Sequence, residues 1–391
     1  MNPKMQKLLA TVVLTTTASV SHAFQDGKIV IWGAGEARGQ AAWEAIGQKF
    51  EEETGVGLVI ESPDPVPDKF QQAAATGDGP DLIFFAHDRF GEWASSGLLS
   101  PIEISDEVRS NIEDIAWDGV TVGKSVYGYP IFAEAASLIY NKKLIKNAPS
   151  SFEEILAGVD MPEGVAPILW DYNNAYFSFP LLAANGGYAF KKVNGVYDPA
   201  VTGVNNAGAI QGGEMIKSLI DHGMATGVDY GIMSAEFSKN KVAMVIDGPW
   251  AWENYEKAGI DFGLAPIPTI NGSPAKPFVG IWSIGVNAAS PNKDLVKLLM
   301  ESYVLTDDAL KALVAADLNG AMVDKSVAAT QAADERISIT LQNAIGGVPM
   351  PNNSEMGSFW SAMAPALGNI TSGRQPVKEA LDNAAARILG E

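Results

Sequence analysis

Asp88 and Arg89 stand directly after an apolar run, Leu82 to Phe85, in "DLIFFAHDRF". A carboxylate beside a guanidinium where such a run ends can grip a hydroxyl-rich ligand, because charge-assisted hydrogen bonds are shorter and stronger than neutral ones. Asp88 could equally cap a helix beginning at Arg89. Glu36 and Arg38 form a second acid–base pair in the turn "GAGEARG", after the run "KIVIW". That turn spaces its glycines one residue off the dinucleotide pattern and puts Glu36 where a pyrophosphate would have to lie, which argues against a nucleotide. Three histidines, one of them His22 near the N-terminus, and no cysteine leave His87 and His222 too few for a three-ligand zinc site. Gly-x-Ser-x-Gly is absent, so a serine nucleophile on that turn is not expected either. What remains is acids, arginines and nine tryptophans. That set suits carbohydrate, whose hydroxyls take ionised partners and whose ring faces lie on aromatic side chains. No cofactor and no metal is expected.

The elements that must position these groups read as α/β. "KIVIW" is a strand, and "AAWEAIGQKFEEETG" carries helical spacing through Trp43, Ile46 and Phe50 and stops at Gly55. "VGLVIES" is a second strand, broken by Pro63 and Pro65, which completes a βαβ unit. A helix over about 66–76 leads into "DLIFFA", whose continuous apolarity predicts a central parallel strand. Ligands collect beyond the carboxyl ends of such strands, which places both acid–base pairs at one site. Ser151 and Glu154 make a capping box, another helix begins near Asn205, "NKVAMVIDGPWAW" and "PFVGIWSIGV" are further strands, and the chain from about 292 is mainly helical. No repeat, low-complexity tract or polar linker interrupts the sequence, which predicts two lobes joined by several chain crossings.

Lys4 and Lys7, an apolar stretch and "ASVSHA" predict a secretory signal over residues 1–23, with the mature chain starting at Phe24. With no cysteine at the cut to carry a lipid, the expected location is the periplasm. The formal charge of −19 makes nucleic acid and anionic membrane faces poor partners, since their binding depends on basic residues.

Six segments, "TGDGPDLIFFAHDRFGEWASSGLL", "YPIFAEAASLIYNK", "NGGYAF", "DGPWAW", "KPFVGIWSIGVNAASPNK" and "SGRQPVKEAL", occur in an order that closely resembles the periplasmic maltose-binding proteins. The likeness spans nearly the whole chain after the signal. It implies a two-lobe periplasmic binding protein fold, each lobe a mainly parallel sheet flanked by helices, with lobes over 24–132 plus 284–330 and 133–283 plus 331–391. It also implies a monomeric, non-enzymatic receptor that closes on a malto-oligosaccharide and serves the membrane permease of an ABC importer. A chemotaxis receptor ectodomain is a further possible partner. Position by position, the family's sugar-contacting acids and bases match Asp88, Arg89 and Glu134, and its stacking aromatics match Tyr176, Trp250 and Trp360. Glu36 and Arg38 fall near an acid and a lysine of the family's first turn.

The departures gather in the same pocket. Phe85 and Phe179 replace tryptophans, Ala34 an asparagine, Asn174 a glutamate and Ala364 an arginine, while Pro65 and Pro67 displace a lysine and an acid and leave Asp68 nearby. Trp282 replaces an aliphatic residue and is expected to make up for the smaller ring face at Phe85. Asn240 stands where the family has glycine and is expected in the left-handed conformation that asparagine tolerates. Two alternatives stay open: a different oligosaccharide as ligand, and a secreted glycoside hydrolase using Asp88 and Glu134 as its carboxylate pair.

Overall fold

A computed structural model describes residues 24–34, 39–193, 195–316 and 318–391. The expected signal, residues 1–23, and the pair Glu36 and Arg38 lie outside the described residues.

The opening βαβ unit forms as its periodicity predicts. Strand β1 (Lys28–Trp32) runs parallel to β2 (Gly57–Glu61) in the register Lys28 to Gly57 through Trp32 to Glu61. The helix between them, Gln40–Thr54, buries Trp43, Ile46 and Phe50. It ends on Gly55, whose φ of 75° is the left-handed turn that glycine enters without a Cβ penalty. Strand β3 (Leu82–Ala86) lies beside β1 and parallel to it.

The remaining strands are β4 (Gly128–Ala135), β5 (Ser137–Asn141), β6 (Ala166–Leu169), β7 (Val242–Asp247), β8 (Phe262–Ala265), β9 (Phe278–Val286), β10 (Ala321–Met322) and β11 (Val348–Pro349), with two short surface hairpins besides. A seven-stranded sheet takes the order β10, β4, β9, β3, β1, β2, with β11 added on β9. A four-stranded sheet takes the order β8, β5, β7, β6. The chain is thus a two-lobe α/β protein, with the chain passing between the sheets at Ala136, between Ala265 and Phe278, and after Pro349.

The sheets are mixed rather than mainly parallel. β3 is parallel to β1 but antiparallel to β9, and β9 and β4 are antiparallel to each other. In the second sheet β7 is parallel to β6 and antiparallel to β5. Strands that arrive from the other lobe enter against the local direction, and a fully apolar run looks the same in either sense. Both β4 and β9 pair in the first sheet over their whole lengths, so the expected lobe boundaries at 132/133 and 283/284 fall inside those strands.

Local signals hold elsewhere with small differences. Ser151 accepts the amide of Glu154 as predicted, while the Glu154 carboxylate returns to the amide and hydroxyl of Ser150 instead of the cap itself. The helix expected near Asn205 is Ala207–Asp221, capped by Asn206. Asn240 has a φ of 57° and accepts a hydrogen bond from Asn141. From residue 292 the described chain is mainly helical, with β10 and β11 among the helices.

Candidate functional site

Beyond the end of β3 the chain turns through a 3₁₀ segment, His87–Arg89, into a short helix, Phe90–Ser95. No side chain caps that helix, so the capping reading of Asp88 does not hold. Instead the Asp88 carboxylate, only 8% exposed, accepts the indole N–H of Trp360 at 3.2 Å. Burial pushes its pKa up to about 6, against the opposing pull of the Arg89 charge and the Trp360 hydrogen bond. Arg89 pairs with Glu92 at 3.2 Å. Trp360 stands on the helix Met356–Thr371, whose buried face belongs to the core of the second lobe, so this bond joins the two lobes.

His87 is fully buried and uses both ring nitrogens. Nδ1 accepts the Ile281 amide at 2.9 Å and Nε2 donates to the Met350 carbonyl at 2.8 Å. Burial lowers its pKa to about 4, which keeps the ring neutral. It is a structural tie, with no part in ligand chemistry.

Strand β9 supplies one wall. Alternate residues of a strand share a face, so Phe278, Gly280 and Trp282 line up, and the antiparallel register sets Glu134 opposite Gly280 and Phe132 opposite Trp282. Directly opposed side chains meet, and the Trp282 and Phe132 rings stack at 5.8 Å with an 8° tilt. The indole N–H of Trp282 donates to Glu134 at 2.7 Å. Phe85 leans on Trp282 at 5.6 Å, so the two rings are neighbours.

The second lobe supplies the other wall. Asn174 caps the helix Ala175–Ala184 by accepting the Tyr176 amide at 3.0 Å, and this cap aims Tyr176. Phe177 is buried and Tyr176 half-buried. Tyr176 meets Trp250 edge-on at 5.8 Å. Trp250 follows β7 in the turn Asp247–Gly248–Pro249 and is half-buried, whereas Trp252 is core. Tyr176 also meets Phe278 at 6.5 Å, and Phe278 is stacked on Phe179 and edge-on to Trp360 at 5.6 Å.

The structure therefore gathers Asp88, Arg89, Trp360, Tyr176 and Trp250 around the lobe junction, with Glu134, Trp282 and Phe85 on the crossing strand and its neighbours. Asn174 acts through its cap. Sequence reasoning passed over Phe132, Phe278 and Asp247. The first two sit at fixed alternations from Glu134 and Trp282, and Asp247 is an acid closing the otherwise apolar run "VAMVI", a signal that was there to be read. Asp247 is fully buried and accepts the Gly248 amide at 2.8 Å and the Tyr255 hydroxyl at 2.6 Å. Among the described residues no group of three or more His, Asp or Glu side chains is placed to hold a metal ion. No described helix is long and apolar enough to cross a membrane.

Comparison with known proteins agrees with this architecture. The chain is 27% identical over 394 residues to a galactooligosaccharide-binding protein of Bacillus subtilis (strain 168), covering 96% of this chain and 92% of the relative. It is 28% identical over 400 residues to a maltodextrin-binding protein of the same organism, covering 96% and 93%. It is also 28% identical over 363 residues to a maltooligosaccharide ABC transporter solute-binding lipoprotein of Streptococcus pneumoniae (strain ATCC BAA-255 / R6), covering 88% and 84%. The family model of bacterial extracellular solute-binding proteins matches residues 33–311, most of the chain, from just after β1 into the helices that follow β9. On the strength of that match and the two-lobe fold, the chain belongs to the bacterial extracellular solute-binding protein family.

Proposed function

We propose that this protein is a periplasmic receptor, and not an enzyme, that captures an oligosaccharide between its lobes by hinge closure and delivers it to an ABC-type importer. The ligand best suited is a malto-oligosaccharide. The observation that carries this reading is the meeting of an acid from one lobe, Asp88, with an aromatic from the other, Trp360, beside Arg89, Tyr176 and Trp250. A sugar lying there meets charged acceptors and donors at its edge and aromatic rings on its faces, and both lobes contribute, which is what makes closure favourable on binding. Glu134, Trp282 and Phe85 form the wall along the crossing strand, and Glu36 and Arg38 are further candidate ligand residues in this reading. Micromolar affinity corresponds to about 8 kcal/mol, within reach of several charged hydrogen bonds and two or three stacked rings.

A second reading is a galactooligosaccharide, favoured by the rebuilt wall where Trp282 and Phe85 stand together, and by a relative named for that ligand. Calorimetric titration of the mature chain with maltose, maltotriose, longer maltodextrins, a galactooligosaccharide and cellobiose separates them. The malto reading requires saturable one-to-one binding of the maltodextrins with return of unchanged sugar. Binding of the galactooligosaccharide alone would transfer the site to that ligand, and release of new reducing ends with turnover would replace the receptor by a hydrolase acting through Asp88 and Glu134.

A further inference from the structure

Strand β7 is buried at every position and ends in Asp247, a carboxylate with no exposed surface. A buried carboxylate persists only when its oxygens are satisfied. Here neutral donors do this: the Gly248 amide at 2.8 Å on Oδ1 and the Tyr255 hydroxyl at 2.6 Å on Oδ2, with the polar groups of Trp250 and Tyr230 near enough to oppose the rise in pKa that burial causes. A carboxylate offers acceptor sites on both oxygens, whereas an amide offers only one oxygen. Donors converging on both oxygens therefore call for an acid at this position.

Gly248 adds a second constraint. A Cβ placed there would come within 2.1 Å of the six-membered ring of Trp250, so that ring lies across the glycine's α-carbon. Any side chain at 248 would displace it. With Asp247 holding the Gly248 amide and the ring laid over that glycine, Trp250 lies edge-on to Tyr176 at 5.8 Å and to Phe177 at 6.1 Å.

Burying a tryptophan in this protein does not require such a bond. The indole nitrogens of Trp43, Trp93 and Trp252 are buried with no hydrogen-bond partner among the described residues. The half-buried indoles of Trp282 and Trp360, by contrast, each donate to a carboxylate, and Trp250 lies beside one, Asp247.

We infer that Asp247, together with Gly248, is a positioning residue that fixes the Trp250 ring as a platform for a sugar face. This rests on the reading of Trp250 as a ligand contact. Its test separates the two claims. The Trp250 indole ¹H–¹⁵N resonance, assigned with Trp250→Phe, reports ring placement without any sugar, and titration with maltotriose reports binding. Asp247→Asn is expected to move that resonance and to weaken maltotriose about tenfold, the scale of removing one hydrogen bond to a charged group. In the Trp250→Phe background the same substitution should change affinity less than about twofold, because the indole it positions is gone. Should Asp247→Asn fail to fold, Gly248→Ala, which displaces the ring and leaves the carboxylate, must give the same resonance shift and weakening. An unmoved resonance, or an equal drop in affinity in both backgrounds, overturns the inference. If the wild type ignores every maltodextrin, the malto reading falls while the resonance still decides the placement of Trp250.

Discussion

Indole groups are held by carboxylates on both walls of the site, but the walls are built differently. Along β9 the partners Trp282 and Glu134 sit on adjacent strands, and backbone register brings them together. Across the junction Trp360 rides on a helix and Trp250 on a turn after a strand; a side-chain bond to Asp88 orients the first, and the Gly248 turn held by Asp247 carries the second. A wall set by register keeps its shape when one side chain is altered or protonated. A wall set by side-chain bonds changes with each of them, and its two acids are the ones whose pKa is raised by burial, to about 6 at Asp88 and about 7 at Asp247.

The largest effect should come where the walls meet. Phe278 is fully buried between Phe179, Phe359 and Trp360, and Phe278→Ala should cost about 3–5 kcal/mol of stability in denaturant unfolding. A change under about 1 kcal/mol would mean that the walls are independently supported.

Next in size is a pH effect confined to the side-chain-held wall. Asp88 accepts a sugar hydroxyl best when ionised, and its raised pKa means that ionisation is lost as pH falls through about 6. Sugar affinity should decline over that range, and Asp88→Asn should bind more weakly at neutral pH and show no such decline. Stability runs the other way: because the folded form holds this proton more tightly than the unfolded chain, burial of Asp88 costs increasingly as pH rises from about 4 through about 6. A decline that survives in Asp88→Asn would assign it elsewhere.

The smallest effect should be at Trp282. Trp282→Phe keeps a ring over Phe132 and removes the N–H that Glu134 accepts, so affinity should fall by about 1–2 kcal/mol with little change in pH dependence. Equal affinity in both proteins would remove Trp282 from the wall.

Much of the scaffold was legible because its signals are local. The period of Trp43, Ile46 and Phe50, the stop at Gly55 and the left-handed Asn240 each depend on a few neighbouring residues. Strand direction was not legible, since β3 and β9 are apolar on both faces whichever way they run. The candidate residues emerged from strand ends and from resemblance, but their partners did not. Trp360 meets Asp88 across 272 positions and Trp282 meets Glu134 across 148, and such pairs follow from how the crossings fold back. The cap at Asn174 lay between the two cases, a local bond disguised by its place in an aromatic cluster.

The His87 tie has a mechanical consequence for closure. Met350 is fastened to the first lobe twice, by the His87 ring on its carbonyl and by its own amide on Val279. Two residues on, the Asn352 side chain donates to the carbonyls of Gly119 and Thr121, at 2.8 and 3.1 Å. The last crossing is thus clamped as far as Asn352, and the second-lobe helix starts at Met356. If the lobes close as proposed, bending falls to Asn353, Ser354 and Glu355, and the strap as far as Asn352 moves as part of the first lobe.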